Sequence, residues 1–238
     1  MTPDLLARLT AARDVKRPVA LLTRLDSGAQ LLFPDDAVPE ALAAEAEAAL
    51  RADKARNAEQ DGAPWFIQPQ NPPLRLIVVG AVHIAQALVP MAARLGYAVT
   101  VVDPRRAFAT EERLGAEVAI SSDWPDEAMT ALAPDTRTAV VTLTHDPKLD
   151  DPALEVALRS PAFYIGCLGS RRTHAKRLER LKEAGLSEAE MSKIHAPVGL
   201  DIGAVTAPEI AVSILAQIVA ARRGAASETA RGPKSDKT

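Results

Sequence analysis

The chain has 238 residues, 47% hydrophobic and 25% charged, enough for one large domain or for a medium domain with a small appendage around a real core. A formal net charge of −3 gives no basis for nucleic acid or an anionic membrane surface as partner, and a single cysteine, Cys167, excludes an intramolecular disulfide and a cysteine-built zinc site. The opening residues hold no apolar core of signal-peptide length and no segment approaches an integral membrane span, so the expected location is the cytoplasm.

Residues 4–13 read as a short helix. Two strand-like runs follow, "RPVALLTRL" and "AQLLFP", joined by the hairpin signal "DSG". Residues 39–55, rich in Ala and Glu, read as a helix by propensity. "WFIQPQNPP" is expected to be an extended lead-in segment, because its prolines exclude helix and interior strand.

The pattern changes at residue 74. The apolar runs "LRLIVV", "AVTVV", "AEVAI", "TAVVTLT" and "AFYIGCL" have strand character, with helical segments at 83–95, 110–114, 125–132, 151–159 and 170–184 between and after them. Parallel neighbours need a crossover, so this alternation predicts an α/β fold with a doubly wound, mostly parallel Rossmann-like sheet. The strands lack polar alternation, as expected when helices cover both faces. A last helix, "PEIAVSILAQIVAARR", begins with a capping box at Thr206 and Glu209. The expected organisation is therefore a small α+β region over 1–73, a Rossmann-like domain over 74–223 and a disordered tail over 224–238. A homodimer is expected from the fold class and the apolar last helix.

A doubly wound sheet binds ligands outside the carboxyl ends of its strands. Unusual polar residues cluster there: Gly80 and His83 after the first strand, Asp103 and Arg105 after the second, His145 and Asp146 after a later one, then Gly169, Ser170, Arg171 and Arg172. Asp103 follows Gly80 by 23 residues, near the spacing at which an acid accepts hydrogen bonds from a ribose. Yet position 82 is Val and position 85 is Ala, so only the first glycine of a dinucleotide fingerprint stands, and Val82 would crowd a diphosphate. Ser170 is a natural N-cap, and arginines in a first helical turn are unfavourable unless an anion compensates them. Cys167 lies in an apolar run and is expected to be buried and inert. No metal site and no hydrolase triad is expected.

"IVVGAVHIAQAL", "VTVVDPR", "THDPKLDDPAL", "YIGCLGSRRTHAKR" and "HAPVGLDIGAVTAPEIAVSILA", in this order over residues 74–223, resemble the XdhC/CoxI family. Those proteins help mature xanthine dehydrogenase, carbon monoxide dehydrogenase and related molybdenum hydroxylases. The resemblance implies a Rossmann-like domain that binds molybdenum cofactor, as molybdopterin or its cytosine dinucleotide form. It further implies delivery, often of sulfurated cofactor, to an apo molybdenum hydroxylase, with a cysteine desulfurase as a candidate second partner. The "GSxPR" and "GGCxE" segments of many members do not occur in residues 1–73. Two other classes remain open: an NAD(P)-dependent oxidoreductase, and a nucleotide-sensing adaptor that binds a partner without any pterin.

Overall fold

In the computed structural model, which describes residues 1–115 and 118–225, the chain divides between Pro72 and Pro73 into two units. The first comprises α1 (Pro3–Asp14), β1 (Val19–Arg24), β2 (Gln30–Phe33), α2 (Glu40–Ala52), β3 (Arg56–Gln60) and β4 (Ala63–Gln70). Its four strands form an antiparallel sheet in the order β2-β1-β4-β3. β1 reads as continuously apolar because both faces are covered. Val19 and Leu21 pack with Leu5 and Ala12 of α1, while Ala20 and Leu22 pack with Leu42, Ala46 and Ala49 of α2.

Two features of this unit differ from the sequence expectation. Residues 63–70 are an interior strand, not a lead-in, although they contain two prolines. Each proline lies where one neighbour has ended. Pro64 stands opposite Glu59 of β3 but beyond the last paired residue of β1, and Pro69 stands opposite Ala20 of β1 but beyond the end of β3. A missing N–H is tolerated where no ladder partner awaits it. The unexpected β3, "RNAEQ", has no apolar face to announce it; its residues are exposed or half-buried.

From Pro73 onward the second unit carries a six-stranded parallel sheet, ordered β10-β9-β8-β5-β6-β7. The strands are β5 (Arg75–Val79), β6 (Ala98–Val102), β7 (Ala119–Ser121), β8 (Thr138–Thr142), β9 (Tyr164–Cys167) and β10 (Ile194–His195). The helices are α3 (His83–Arg94), α4 (Glu111–Leu114), α5 (Pro125–Leu132), α6 (Pro147–Arg159), α7 (Arg171–Glu183), α8 (Glu188–Met191) and α9 (Ala207–Arg223). Leu76 and Val78 of β5, Val101 of β6 and Val141 of β8 pack with α3 and α9. The alternate residues Ile77, Val79, Val102 and Val140 pack with α5, α6 and α7. Each such side chain, taken from water into the core, contributes about 1.5–3 kcal/mol before ordering entropy is set against it.

The order of the strands reverses between β5 and β8, where successive crossovers go to opposite sides. α9 opens with the expected capping box: Thr206 caps the Glu209 N–H, and Glu209 Oε2 accepts from the N–H groups of Val205 and Thr206 at 2.9 and 2.8 Å. α6 begins four residues earlier than the sequence suggested, because Asp146 caps it and Pro147 occupies its first position. α8 and β10 are too short to leave a periodic signal. Apart from Gly224 and Ala225, the expected tail over 224–238 lies outside the described residues.

Candidate functional site

The carboxyl ends of β5 and β6 are tied together by one acid. Gly80 turns the chain after β5 with φ +106°, and a Cβ there would overlap the Thr144 methyl group beyond β8. Ala81 N–H donates to Asp103 Oδ2 at 2.8 Å. Arg105 Nε and backbone N–H both donate to Asp103 Oδ1 at 2.9 Å, and Arg105 Nη2 donates to Oδ2 at 2.8 Å. Asp103 is fully buried. Burial alone would push its carboxyl up, but the bonds from Arg105 and Ala81 outweigh this and hold it below the usual aspartate range. The acid expected to face a ligand is therefore engaged inside the turn. Arg105 is spent on it too, with its guanidinium 4.8 Å from the centre of the Phe108 ring. His83, the first residue of α3, is exposed.

A second acid organises the end of β8. Asp150, in the first turn of α6, is buried and accepts from Thr144 Oγ1 at 2.7 Å and from the N–H groups of Thr144 and His145 at 3.3 and 3.2 Å. These bonds hold His145 in the left-handed region, φ +62°, with its side chain exposed. Arg177 of α7, only 2% exposed, brings Nη2 to 3.5 Å from Asp150 Oδ2. Burial pushes the Asp150 carboxyl up despite Thr144 and Arg177. Asp146 accepts from Lys148 N–H at 3.0 Å, so one of its oxygens serves its own helix.

At the end of β9, Gly169 (φ +138°) leads into Ser170, whose hydroxyl accepts from Thr173 N–H at 3.2 Å and starts α7. A Cβ on Gly169 would lie 3.8 Å from His145 Nδ1, so the turns after β8 and β9 come together there. Between the start of α7 and the segment 197–204 opens a cleft of about 720 Å³, lined by Gly169, Ser170, Arg171, Arg172, Leu200 and Ile202 among others. Its far wall is pinned by Gln217 of α9, whose Oε1 accepts from Gly199 N–H at 2.8 Å and from Tyr164 Oη–H at 2.6 Å. The Tyr164 ring stacks on His195 with centroids 4.7 Å apart, and burial lowers the histidine's pKa. Cys167 is completely buried, and burial pushes its thiol up to about 11.

The ten expected residues thus fall into two groups. Gly169, Ser170, Arg171 and Arg172 line the larger cleft, and His145 with Arg172 lines a smaller one beside it. Gly80, His83, Asp103 and Arg105 line neither, and Asp146 also stands outside both. Sequence reasoning missed Asp150, Arg177 and the wall over 197–204. Arg177 had one legible signal: it lies four residues before the buried Leu181, on the stripe of α7 that faces the core. Among the described residues no group of three or more His, Cys, Asp or Glu is placed to hold a metal ion, and no helix is long and apolar enough to cross a membrane.

A parallel sheet with reversal between β5 and β8 defines a Rossmann-type protein, and here the capped start of α7 places Arg171 and Arg172 at the larger cleft. The family model described as the XdhC Rossmann domain matches residues 76–218, and the chain belongs to that family. It is 35% identical over 151 residues to the molybdenum cofactor insertion chaperone PaoD of Escherichia coli, covering 63% of this chain and 41% of that one. It is 32% identical over 158 residues to a probable xanthine dehydrogenase subunit of Bacillus subtilis, covering 66% and 46%. The chain therefore spans less than half the length of either relative. A crystal structure described as a xanthine dehydrogenase from Bacillus halodurans shares the fold, with TM-score 0.69 at 23% identity over 93% of this chain and 64% of that one.

Proposed function

We propose that this protein holds molybdenum cofactor in the cleft at the start of α7 and hands it to an apo molybdenum hydroxylase of the xanthine dehydrogenase or carbon monoxide dehydrogenase type. The cargo is the pterin cofactor as molybdopterin or its cytosine dinucleotide. The observation that carries the proposal is the pairing of an anion-favouring helix start, Ser170 to Arg172, with the mostly apolar cleft over 197–204. Leu200 and Ile202 would hold the cofactor's ring system, and Arg171 and Arg172 would hold its phosphate. The name of the PaoD relative supports the same cargo.

Sulfur, where the client needs a sulfurated cofactor, comes from a separate cysteine desulfurase, since the Cys167 thiol is buried and protonated at neutral pH. The same proposal takes the protein as a cytoplasmic homodimer, on the strength of the apolar α9, which leaves Val212 and Val219 exposed seven residues apart. The NAD(P) alternative loses its ribose acceptor, because Arg105 and the Ala81 N–H occupy both oxygens of Asp103.

Mass spectrometry of the small molecule that copurifies from a molybdenum-competent host tests the proposal. The expected result is a pterin, lost from the Arg171→Gln/Arg172→Gln variant, whose affinity should fall at least about tenfold for the loss of charge-assisted bonds. NAD(H) in its place, or micromolar binding of NADH, overturns it.

A further inference from the structure

We propose that the small cleft between the first turn of α6 and the first three turns of α7 is an oxyanion site that takes a phosphoryl group, with Arg177 as its buried determinant. The cleft measures about 260 Å³, and its walls include His145, Asp150, Arg172, Lys176, Arg177 and Arg180. Arg177 is 2% exposed. Its Nη2 is used twice, 3.0 Å from the Leu168 carbonyl oxygen and 3.5 Å from Asp150 Oδ2. Its Nε and Nη1, both shut off from solvent, have no hydrogen-bond partner.

A guanidinium carries five N–H donors in a rigid fork, and a buried cation whose donors go unmet is unfavourable unless something completes its shell. Asp150 does not complete it. That carboxylate already accepts from Thr144 Oγ1 and from the N–H groups of Thr144 and His145. Arg180 is committed to Asp151, with Nε and Nη2 on its two oxygens. Arg172 and Lys176 are exposed and form no ion pair within 4.0 Å among the described residues. The cleft therefore keeps a surplus of positive charge around one buried, half-satisfied arginine. An anion is what it lacks.

Size and geometry select the anion. The cleft is smaller than the roughly 300–1,000 Å³ of pockets for whole organic ligands, so it takes a group and not a nucleoside. The exposed Arg172 offers a planar fork that matches phosphoryl oxygens in pairs, Lys176 adds a mobile point charge, and Arg177 behind them supplies buried positive charge. Arg172 lines this cleft and the larger one, so a phosphorylated ligand with its rings in the larger cleft reaches the smaller across a single side chain. In that last respect the inference rests on the cofactor proposal above; the oxyanion site itself does not.

Calorimetric titration of the full chain with inorganic pyrophosphate and with inorganic phosphate tests the site without any pterin. The expected result is saturable binding, weakened at least about tenfold in Lys176→Glu and abolished in Arg177→Met. Lys176 is exposed, so its variant folds even if Arg177→Met does not, and unchanged melting confirms this. Lys182→Glu, farther along α7 and outside the cleft, controls for general charge and should bind as the parent does. The site is overturned if the parent shows no saturable binding, if Lys176→Glu behaves like Lys182→Glu, or if a glutamate-rich peptide binds in preference to pyrophosphate. Pyrophosphate binding that depends on Lys176, with no pterin ever copurifying, keeps this site and sinks the cofactor proposal. Copurified pterin in a chain that shows no saturable pyrophosphate binding does the reverse.

Discussion

Arg105 closes over Asp103, with Nε 2.9 Å from Oδ1 and Nη2 2.8 Å from Oδ2, while the Ala81 N–H reaches the same carboxylate from the neighbouring turn. One acid thereby fixes the relative position of the β5 and β6 ends. Asp103→Asn sets an amide N–H2 against donors and should cost about 2 kcal/mol near neutral pH, measured by urea unfolding. The folded pKa of Asp103 is depressed, so its contribution is complete above the unfolded value of about 3.9 and is lost as pH falls through the lower folded value. The gap between parent and variant should therefore be flat around neutrality and shrink in acid. A gap that widens in acid would contradict the arrangement.

Gly80 has both a positive φ and no room for a side chain, because the Thr144 methyl stands where its Cβ would be. Gly80→Ala should destabilise by roughly 2–4 kcal/mol, part backbone strain and part overlap. Thr144→Ser removes the offending methyl but keeps the hydroxyl that donates to Asp150. The double variant should recover the overlap and retain the strain, roughly 1–3 kcal/mol. Strict additivity of the two changes would show that the turn relaxes in another way.

Gln217 accepts from both Tyr164 and Gly199, which makes it the anchor of the cleft's far wall. Gln217→Leu leaves two buried donors unmet, at about 1–3 kcal/mol each. Amide exchange over residues 199–203 should accelerate before that of β5 or β8 does. Uniform acceleration across the sheet would mean that the wall is not a separately anchored unit.

Cys167 is completely buried with its thiol pushed up to about 11, so almost none of it is thiolate at neutral pH. A thiol reagent at pH near 8 should label the native chain only at the rate of unfolding, and the unfolded chain at once. Fast native labelling would place Cys167 back among candidate sulfur carriers.

The parallel sheet was legible because β5, β6, β8 and β9 are buried on both faces and read as unbroken apolar runs. The antiparallel sheet was legible only in β1 and β2, since β3 exposes its charged residues and β4 carries prolines that composition alone marks as breakers. At the site, Ser170 announced itself as a cap because capping is local, and so did Asp103 as the acid ending its strand. What Asp103 faces was not legible, as its partners lie in a turn 22 residues away and in its own neighbour Arg105. Asp150 and Arg177 were invisible for the same reason, being joined only when α6 and α7 lie side by side.

The six-stranded sheet ends on one side in the two residues of β10 and on the other in the three of β7. Neither border offers enough unpaired backbone to template a foreign strand, so the folded unit is guarded against edge-to-edge aggregation. If the proposed client docks on this unit, strand addition to the six-stranded sheet is closed to it as a mode of capture. What remains open to such a partner is side chains of helices and loops, among them the capped helix start and the turns at the carboxyl ends of the strands.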